Sequence, residues 1–212
     1  MNKIKATAVS HLTDARYFAA WEVHWLGFYL SPGADYSMDV TTAAALREWV
    51  DGVRICGEFG LADTDYILER VDYLRLDTVQ LDMLTPIAVL MDLKGKVEVI
   101  QEVVVSPWSD TDDLAAMLAE RSNWVDYFLL DFTKGGLTWE EIAQGLPVSM
   151  DDLRHWQAHH APLIIDAGLP ADPLQVARDL PSVAWSVRGG AEEKTGYKSF
   201  DELDALFEVI AQ

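Results

Sequence analysis

Cysteine and long apolar runs are scarce in this chain of 212 residues. Cys56 is the only cysteine, which excludes an internal disulfide and fits a reducing compartment such as the cytoplasm. A lone cysteine in an apolar segment is expected to be a small buried hydrophobic residue. No window approaches the roughly 18 consecutive apolar residues of a membrane-spanning helix. The N-terminal MNKIKATAVS has no long apolar stretch or small-residue cleavage site, so it predicts no signal peptide.

Positive charge is scarce as well. The chain has 16 Lys and Arg against 35 Asp and Glu, a formal net charge of −19. Such a surface repels phosphate backbones and anionic lipid, so neither nucleic acid nor membrane is an expected partner. The same charge repels a small anionic ligand at long range. Any phosphate site must therefore be built locally.

Short apolar segments alternate with amphipathic helical patterns from one end of the chain to the other. Eight such pairs, without flexible linkers, predict a parallel sheet covered by helices, and the number eight favours a closed (β/α)₈ barrel as a single domain over residues 1–212. The alternative is an open flavodoxin-like or Rossmann sheet, but AVSHLTDA after the first strand lacks the glycines of G-x-G-x-x-G. The predicted strands are 4–10, 25–30, 53–59, 78–82, 97–105, 127–132, 162–167 and 183–188. The predicted helices are 12–22, 41–50, 63–74, 84–93, 112–121, 138–160 in two pieces, 172–180 and 199–211.

Functional residues of a barrel cluster where the strands end. Asp131 follows the apolar YFLL directly, so it is expected at the rim of an apolar wall. Burial there would raise its pKa and suit it to act as a general acid, whereas the alternative is a solvated aspartate that caps a loop amide. The polar and glycine residues at the predicted strand ends are Thr7, Ser10, Ser31, Gly33, Glu58, Gln80, Asp82, Glu102, Asp131, Asp166 and Arg188.

Glycines follow the last two predicted strands. DAGLP (166–170) contains Gly168, and RGGAEEKTG (188–196) begins with Arg188, Gly189 and Gly190. Loops at these places in a barrel often hold a phosphate with backbone amides, because glycine allows a close approach. Taken alone, these are also ordinary turn glycines. A further pair in TKGGLTW (133–139) brings Lys134 as an available cation.

Metal sites have little support. His155 and His159 are four residues apart, a spacing that can bind a metal, but without a third ligand a solvated helix face is the preferred interpretation. The carboxylates at the strand ends suit Mg²⁺ or Ca²⁺, yet their spacing matches no known loop. No metal and no cofactor is predicted.

Six segments in order resemble the phosphoribosylanthranilate isomerase family, the (β/α)₈ enzymes that perform an Amadori rearrangement in tryptophan biosynthesis. IKATAVSHLTDARYFAA is similar to I-K-I-C-G-I-T-x-x-E-D-A-x-x-A-A, and WLGFYLSPG to L-G-F-x-F-x-x-x-S-P-R. LDTVQLD is similar to L-D-x-V-Q-L-H-G, and YFLLDFTKGGLTW to the segment with the catalytic aspartate and G-G-T-G. LIIDAGL and RGGAEEKTGYKS match L-x-L-A-G-G-L and S-S-G-V-E-x-x-P-G-x-K-D.

The resemblance implies catalytic roles for some residues and shows where this chain differs from the family at others. It implies that Asp131 is the general acid and that Thr7 stands at the position of the family's cysteine base. A threonine hydroxyl is too weakly acidic to replace a thiolate. Gly33 stands at the position of the arginine in S-P-R, and Asp82 at the histidine of Q-L-H-G.

The residues after the seventh and eighth strands, which the resemblance implies for phosphate binding, depart less from the family's pattern. Gly168 keeps one of the two glycines after the seventh strand, where Asp166 and Ala167 replace the preceding pair. Gly190 and Glu192 keep the G-x-E after the eighth strand. Arg188 could make a charge-assisted contact to phosphate, which Asp166 would weaken unless the two pair with each other.

Three hypotheses for function follow. The first is a divergent family member that acts on a different small molecule, phosphorylated or not, with Asp131 as the acid and Asp82 or Glu58 as a substitute base. The second is an orthodox phosphoribosylanthranilate isomerase in which another carboxylate replaces the cysteine. The third is a non-catalytic barrel that binds a metabolite or a protein. The oligomeric state is left open.

Overall fold

The computed structural model describes residues 3–34, 37–189, 192–194 and 197–210. Eight parallel strands close into a barrel in sequence order, with β1 paired to both β2 and β8. The closed barrel predicted from the eightfold alternation is confirmed, and the open-sheet alternative is wrong. The strands are β1 (Ile4–Thr7), β2 (Trp25–Tyr29), β3 (Arg54–Phe59), β4 (Thr78–Leu81), β5 (Glu98–Val104), β6 (Tyr127–Asp131), β7 (Leu163–Asp166) and β8 (Ala184–Arg188).

Helices connect the strands around the outside of the barrel. They are α1 (Leu12–Ala20), α2 (Val40–Glu48), α3 (Thr64–Leu74), α4 (Ile87–Leu93), α5 (Thr111–Arg121), α6 (Phe132–Gly135), α7 (Trp139–Ala143), α8 (Met150–His159), α9 (Pro173–Asp179) and α10 (Asp201–Ile210). A short antiparallel pair, β9 (Glu192–Lys194) and β10 (Tyr197–Lys198), lies between β8 and α10. Within the described residues, no helix has the length and apolar character that crossing a membrane requires.

Aspartates begin several of these helices. The carboxylate of an N-cap aspartate accepts a hydrogen bond from an amide in the first turn, which would otherwise lack a partner, and its charge suits the positive end of the helix dipole. Part of the acidity of the chain is therefore used locally to start helices. The aspartates that cap in this way include Asp39, Asp63, Asp110 and Asp172.

The interior of the barrel changes from apolar to acidic toward the ends of the strands. Side chains two residues apart on a strand share a face. In β5, β6 and β7, the residues two positions beyond the apolar layer are Glu102, Asp131 and Asp166. The sequence thus directs three carboxyls into one end of the barrel, which we call the mouth. The apolar inner layer consists of Trp25, Cys56, Ile100, Leu129, Ile164 and Ala184.

Two local predictions are corrected. β1 was expected to run to residue 10 but ends at Thr7, because Ala8 adopts a left-handed backbone with φ of 52°. Ser10 therefore lies beyond the strand and is exposed. α6 and the β9–β10 pair were not predicted. Four-residue and shorter elements are too brief for a periodic pattern to indicate them.

Candidate functional site

A buried lysine lies beneath the mouth and was not predicted. Lys5 is inaccessible to solvent, and its Nζ donates to Thr7 Oγ1 at 2.9 Å and to Glu58 Oε1. Burial lowers the pKa of Lys5, but attraction from Glu58 and neighbouring groups outweighs it and the net direction is upward. Lys5 is therefore held as an ammonium. Lys5 stands two residues before Thr7, so the two side chains share one face of β1, and this spacing is what in the sequence indicates that Lys5 points inward.

Thr7 and Glu58 are both tied to this ammonium. Thr7 Oγ1 also lies 2.8 Å from Ser186 Oγ, across the seam between β1 and β8. Glu58 is 2% exposed, and its Oε2 accepts from Ala8 N at 3.1 Å. Both oxygens of Glu58 therefore have donors. The hydroxyl that stands at the end of β1 is fixed from two sides.

Asp131 caps a loop amide, as one of the two interpretations of the sequence expected, but it is buried and not solvated. It is 1% exposed, and its Oδ1 accepts from Lys134 N at 2.7 Å, which caps α6. Its Oδ2 lies 3.7 Å from Lys134 Nζ and 3.8 Å from Arg188 Nη2. Burial, and then repulsion from Asp166, raises the pKa of Asp131 to about 6. The direction agrees with the predicted rise, so this carboxyl can hold or release a proton near neutral pH.

Asp166 stands beside Asp131 as its register partner in β7. Thr133 Oγ1 donates to its Oδ1 at 2.8 Å, and Ser186 Oγ donates to its Oδ2 at 3.0 Å. Arg188 Nε lies 4.0 Å from Oδ2. The pairing of Asp166 with Arg188 that the sequence suggested is thus present at long range, while Arg188 is shared with Asp131.

Two cavities open at the mouth. The central cavity has a volume of about 300 Å³ and is bordered by Thr7, Glu58, Gln80, Asp82, Glu102 and Lys134, together with Arg188. The corner cavity has a volume of about 420 Å³ and is bordered by Thr133, Asp166, Gly168, Ser186 and Gly189, with Asp201 and Glu202 at the start of α10. Arg188 borders both cavities. The mouth is therefore divided into two parts that share one guanidinium.

The glycines predicted to hold a phosphate, Gly168 and Gly189, differ in the space around them. Gly168 has a φ of +70°, and a Cβ there would meet open space, so its loop leaves room in the corner cavity. Trp139 Nε1 anchors this loop by donating to Gly168 O at 3.0 Å. A Cβ at Gly189 would lie 2.9 Å from Asp14 Oδ2, so Gly189 allows a close approach to a carboxylate. Gly190 lies outside the described residues.

The remaining predicted site residues are spread over the mouth and beyond it. Lys134 was grouped with the phosphate contacts, but it borders the central cavity, where its Nζ donates to Glu102 Oε1 at 2.5 Å. Asp82 is half-buried and its Oδ1 accepts from Leu84 N at 2.8 Å. Gly33 lies in an exposed turn with φ of +74°.

The histidine pair lies far from the mouth on the exposed face of α8. The rings of His155 and His159 stack with centroids 4.2 Å apart, and His159 Nδ1 lies 2.8 Å from His155 O. Among the described residues there is no group of three His, Cys, Asp or Glu side chains arranged to hold a metal. Cys56 is buried in the inner apolar layer, and burial raises its pKa to about 12.

The model of one protein family, described as N-(5'phosphoribosyl)anthranilate (PRA) isomerase, matches residues 4–209. The chain belongs to the phosphoribosylanthranilate isomerase family. The match spans both cavities and all eight barrel strands, so the resemblance drawn from six short segments is confirmed. No curated protein matches the chain.

Solved phosphoribosylanthranilate isomerases share the fold. The isomerase from Thermotoga maritima superposes with a TM-score of 0.79 at 21% identity, over 100% of this chain and 99% of that one. The isomerase from Thermus thermophilus has a TM-score of 0.72 at 24% identity, over 99% and 98% of the two chains. A third isomerase, solved with reduced 1-(o-carboxyphenylamino)-1-deoxyribulose 5-phosphate, has a TM-score of 0.74 at 20% identity, over 100% and 99%. At these identities the superpositions establish the barrel, while the chemistry rests on the side chains of the mouth.

Proposed function

We propose that this family member acts on a small phosphorylated metabolite other than phosphoribosylanthranilate, by a proton-transfer isomerisation with Asp131 as the general acid. The observation that carries the proposal is the hydroxyl of Thr7, fixed between Lys5 Nζ at 2.9 Å and Ser186 Oγ at 2.8 Å. The resemblance implies a thiol base at this position, and a threonine hydroxyl held by an ammonium cannot supply one.

Asp131 supports the acid role. A general acid works best when its pKa lies near the working pH, and burial brings the pKa of Asp131 to about 6. Its Oδ1 is fixed by the amide of Lys134, which leaves Oδ2 on the side of the two cations. The carboxyl is thus oriented as well as buried.

The phosphate is proposed for the corner cavity. Its support is the open space beside Gly168, the guanidinium of Arg188 and the family's glycine loops at these places. The substrate-like ligand of one solved isomerase carries a 5-phosphate and a carboxyphenyl group. The arginine that the resemblance places near such a carboxylate is Gly33 here, in an exposed turn. A ligand with the phosphate and without the carboxylate fits this chain better.

An orthodox isomerase with a substitute base is the second candidate. One observation favours it: Glu58 and Thr7 accept from the same Lys5 Nζ, so a carboxylate stands next to the position of the missing thiol. Against it, both oxygens of Glu58 already have donors. Asp82, the other substitute base, lies farther along the mouth at the end of β4.

Turnover of phosphoribosylanthranilate by the purified chain separates the candidates. We expect it to be absent or reduced by about 10²–10⁴-fold against an ordinary isomerase, the usual effect of losing one acid–base group. Failure to complement an isomerase-deficient strain should accompany it. Efficient turnover that disappears in Glu58→Gln would establish the orthodox reaction instead. Crystals soaked in phosphate should hold the anion in the corner cavity, and well-ordered soaks without it would favour a non-catalytic barrel.

A further inference from the structure

A chain of hydrogen bonds leads from the buried ammonium of Lys5 to the carboxylate of Asp166. Lys5 Nζ donates to Thr7 Oγ1 at 2.9 Å, and Thr7 Oγ1 lies 2.8 Å from Ser186 Oγ. Ser186 Oγ in turn lies 3.0 Å from Asp166 Oδ2, to which it donates its only proton. The contact between the two hydroxyls is therefore made by the proton of Thr7, and every bond of the chain points toward Asp166.

Both oxygens of Asp166 are contacted by hydroxyl groups. Ser186 donates to Oδ2, and Thr133 Oγ1 donates to Oδ1 at 2.8 Å. A hydroxyl donates to a carboxylate and can equally accept from a carboxylic acid, because it has a proton as well as lone pairs. Asp166 can therefore take up a proton without losing its contact with either hydroxyl.

Glu58, one of the substitute bases predicted from the sequence, has contacts of a different kind. The ammonium of Lys5 and the amide of Ala8 donate to its two oxygens, and both groups can only donate. A proton on Glu58 would also remove the negative charge that balances the buried ammonium. Asp82, the other predicted base, lies at the end of β4 and is separated from Asp131 in β6 by β5. Neither carboxylate combines free proton uptake with a place beside the acid.

Asp166 has both of these properties. It is the register partner of Asp131 on the neighbouring strand, and it borders the corner cavity together with Arg188. Burial, and then repulsion from Asp166, raises the pKa of Asp131 to about 6, so Asp131 holds the proton of the pair while Asp166 carries the charge. Neighbouring carboxyls in opposite protonation states provide the acid and the base that a proton-transfer isomerisation needs.

We infer that Asp166 is the base of the isomerisation and works beside Asp131, its acid. This inference rests on the proposed function and names the base that it leaves open. For a hydroxy aldehyde, the C–H bond beside the carbonyl breaks and its proton goes to Asp166. Its electron pair forms the C=C bond of an enediol, while Asp131 gives its proton to the carbonyl oxygen. Asp166 then returns its proton to the former carbonyl carbon, and Asp131 takes a proton from the other hydroxyl, which leaves a hydroxy ketone.

Affinity labelling of the intact chain with glycidol phosphate, an epoxide that carries a phosphate, tests the inference. A carboxylate oxygen attacks an epoxide carbon, the C–O bond of the ring breaks, and the ring oxygen takes a proton from Asp131, which leaves a hydroxyalkyl ester. Peptide mapping by mass spectrometry locates that ester, and we expect it on Asp166. The reaction should be at least about tenfold faster with glycidol phosphate than with glycidol, because the bound phosphate holds the epoxide near the carboxylate. Excess inorganic phosphate should slow it.

Variants of the two carboxyls complete the experiment. Asp166→Asn should lose the ester, since an amide is a poor nucleophile. Asp131→Asn should form it about tenfold or more slowly, because the acid that protonates the ring oxygen is missing. Asp112→Asn, on the outer helix α5, is the matched control and should be labelled like the wild type.

The outcomes separate the inference from the proposed function. An ester on Glu58 or Asp82 in the wild type would overturn the inference and leave the phosphate site standing. The absence of an ester from all carboxylates of the mouth would overturn the inference as well. An ester on Asp166 that forms equally fast with glycidol and with its phosphate would support the base and remove the phosphate from the proposed function. Undiminished labelling in Asp131→Asn would overturn the pairing of the two carboxyls.

Discussion

Lys5 and Glu58 form an ion pair inside the barrel, where their side chains are 0% and 3% exposed. Neither charge reaches water, so each depends on the other and on the groups around them. The pair also sets the surroundings of Thr7, whose hydroxyl accepts from the same ammonium. The stability of the barrel and the chemistry at the end of β1 are therefore linked through one side chain.

Breaking this pair on one side should destabilise the fold more than removing it altogether. Lys5→Met leaves a buried carboxylate without its cation, and we expect a loss of about 3–5 kcal/mol in the free energy of unfolding. Adding Glu58→Gln removes the orphaned charge but keeps an oxygen for Ala8 N, so the double variant should recover much of that loss. Urea unfolding of the wild type, both single variants and the double variant measures the coupling. Losses that simply add would show that the two charges act independently.

The stability of the protein should respond to pH through Asp131. The folded protein keeps a proton on this carboxyl up to a pKa of about 6, against an ordinary value of 3.8. Because the folded state binds the proton more tightly than the unfolded chain, the free energy of unfolding falls as the pH rises through this window. We expect the loss to be about 1–3 kcal/mol and complete above the folded pKa.

Asp131→Asn provides the comparison, since it keeps an oxygen for Lys134 N and does not titrate. Unfolding of both proteins should be followed at several pH values below, within and above the window. The variant should gain on the wild type as the pH rises. A constant difference between the two would mean that the pKa of Asp131 is unperturbed, and exposed Asp112→Asn serves as the control for general charge effects.

Gly27 leaves the space that Glu58 occupies. A Cβ at Gly27 would lie 2.0 Å from Glu58 Oε1 and 3.0 Å from Ala6 O. Gly27→Ala should therefore displace the carboxylate from Lys5 and cost about 2–4 kcal/mol in the free energy of unfolding. In a Glu58→Ala background the same substitution meets no carboxylate, and its additional cost should be clearly smaller. An equal cost in both backgrounds would place the conflict with the backbone of β1 instead.

A thiol introduced by Thr7→Cys should be acidic because of Lys5. The ammonium lies 2.9 Å from the present hydroxyl, and a cation at hydrogen-bond distance favours a thiolate. Cys56 is buried with a pKa of about 12, so it contributes little background to a reactivity assay. We expect the alkylation rate of the new thiol to report a pKa below that in Thr7→Cys combined with Lys5→Met, by about one unit or more. The same pKa in both variants would exclude Lys5 as its cause.

The catalytic consequence of that thiol is a separate measurement. Thr7→Cys alone restores only the base, so we expect little phosphoribosylanthranilate turnover from it. Adding Gly33→Arg and Asp82→His returns positive charge for the substrate carboxylate, and the triple variant should be the more active one. Activity in either variant that survives Asp131→Asn would show that the general acid has been misassigned.

The barrel and the carboxylates at its mouth could be predicted from the sequence alone, because both depend on local patterns. Alternation of strand and helix patterns depends on local composition, and the period of two along a strand carries Glu102, Asp131 and Asp166 to one end. The strand–helix alternation and the period of two can both be recognised in the sequence without knowledge of tertiary contacts. The rise in the pKa of Asp131 followed from the apolar residues directly before it.

The Lys5–Glu58 ion pair could not be predicted from local sequence patterns. It depends on how β1 sits relative to β3, two strands that do not pair with each other and lie on either side of β2. A lysine in a strand is usually assumed to face solvent. The turn at Ala8 was also missed, because a left-handed backbone at an alanine opposes its local preference.

The seam between β1 and β8 joins the two ends of the chain, with Thr7 opposite Arg188. Closing the loop between such distant segments carries an entropy cost that contacts between neighbouring strands do not. Lys5 lies on β1 beside this seam, and its ammonium is inaccessible to water in the closed barrel, where β1 has neighbours on both sides. The seam brings Thr7 to Ser186, whereas Arg188 lies near Asp131 within the β6–β7–β8 part of the sheet. The Thr7 side of the mouth therefore exists only in the closed barrel, whereas the Asp131–Arg188 side requires only β6, β7 and β8.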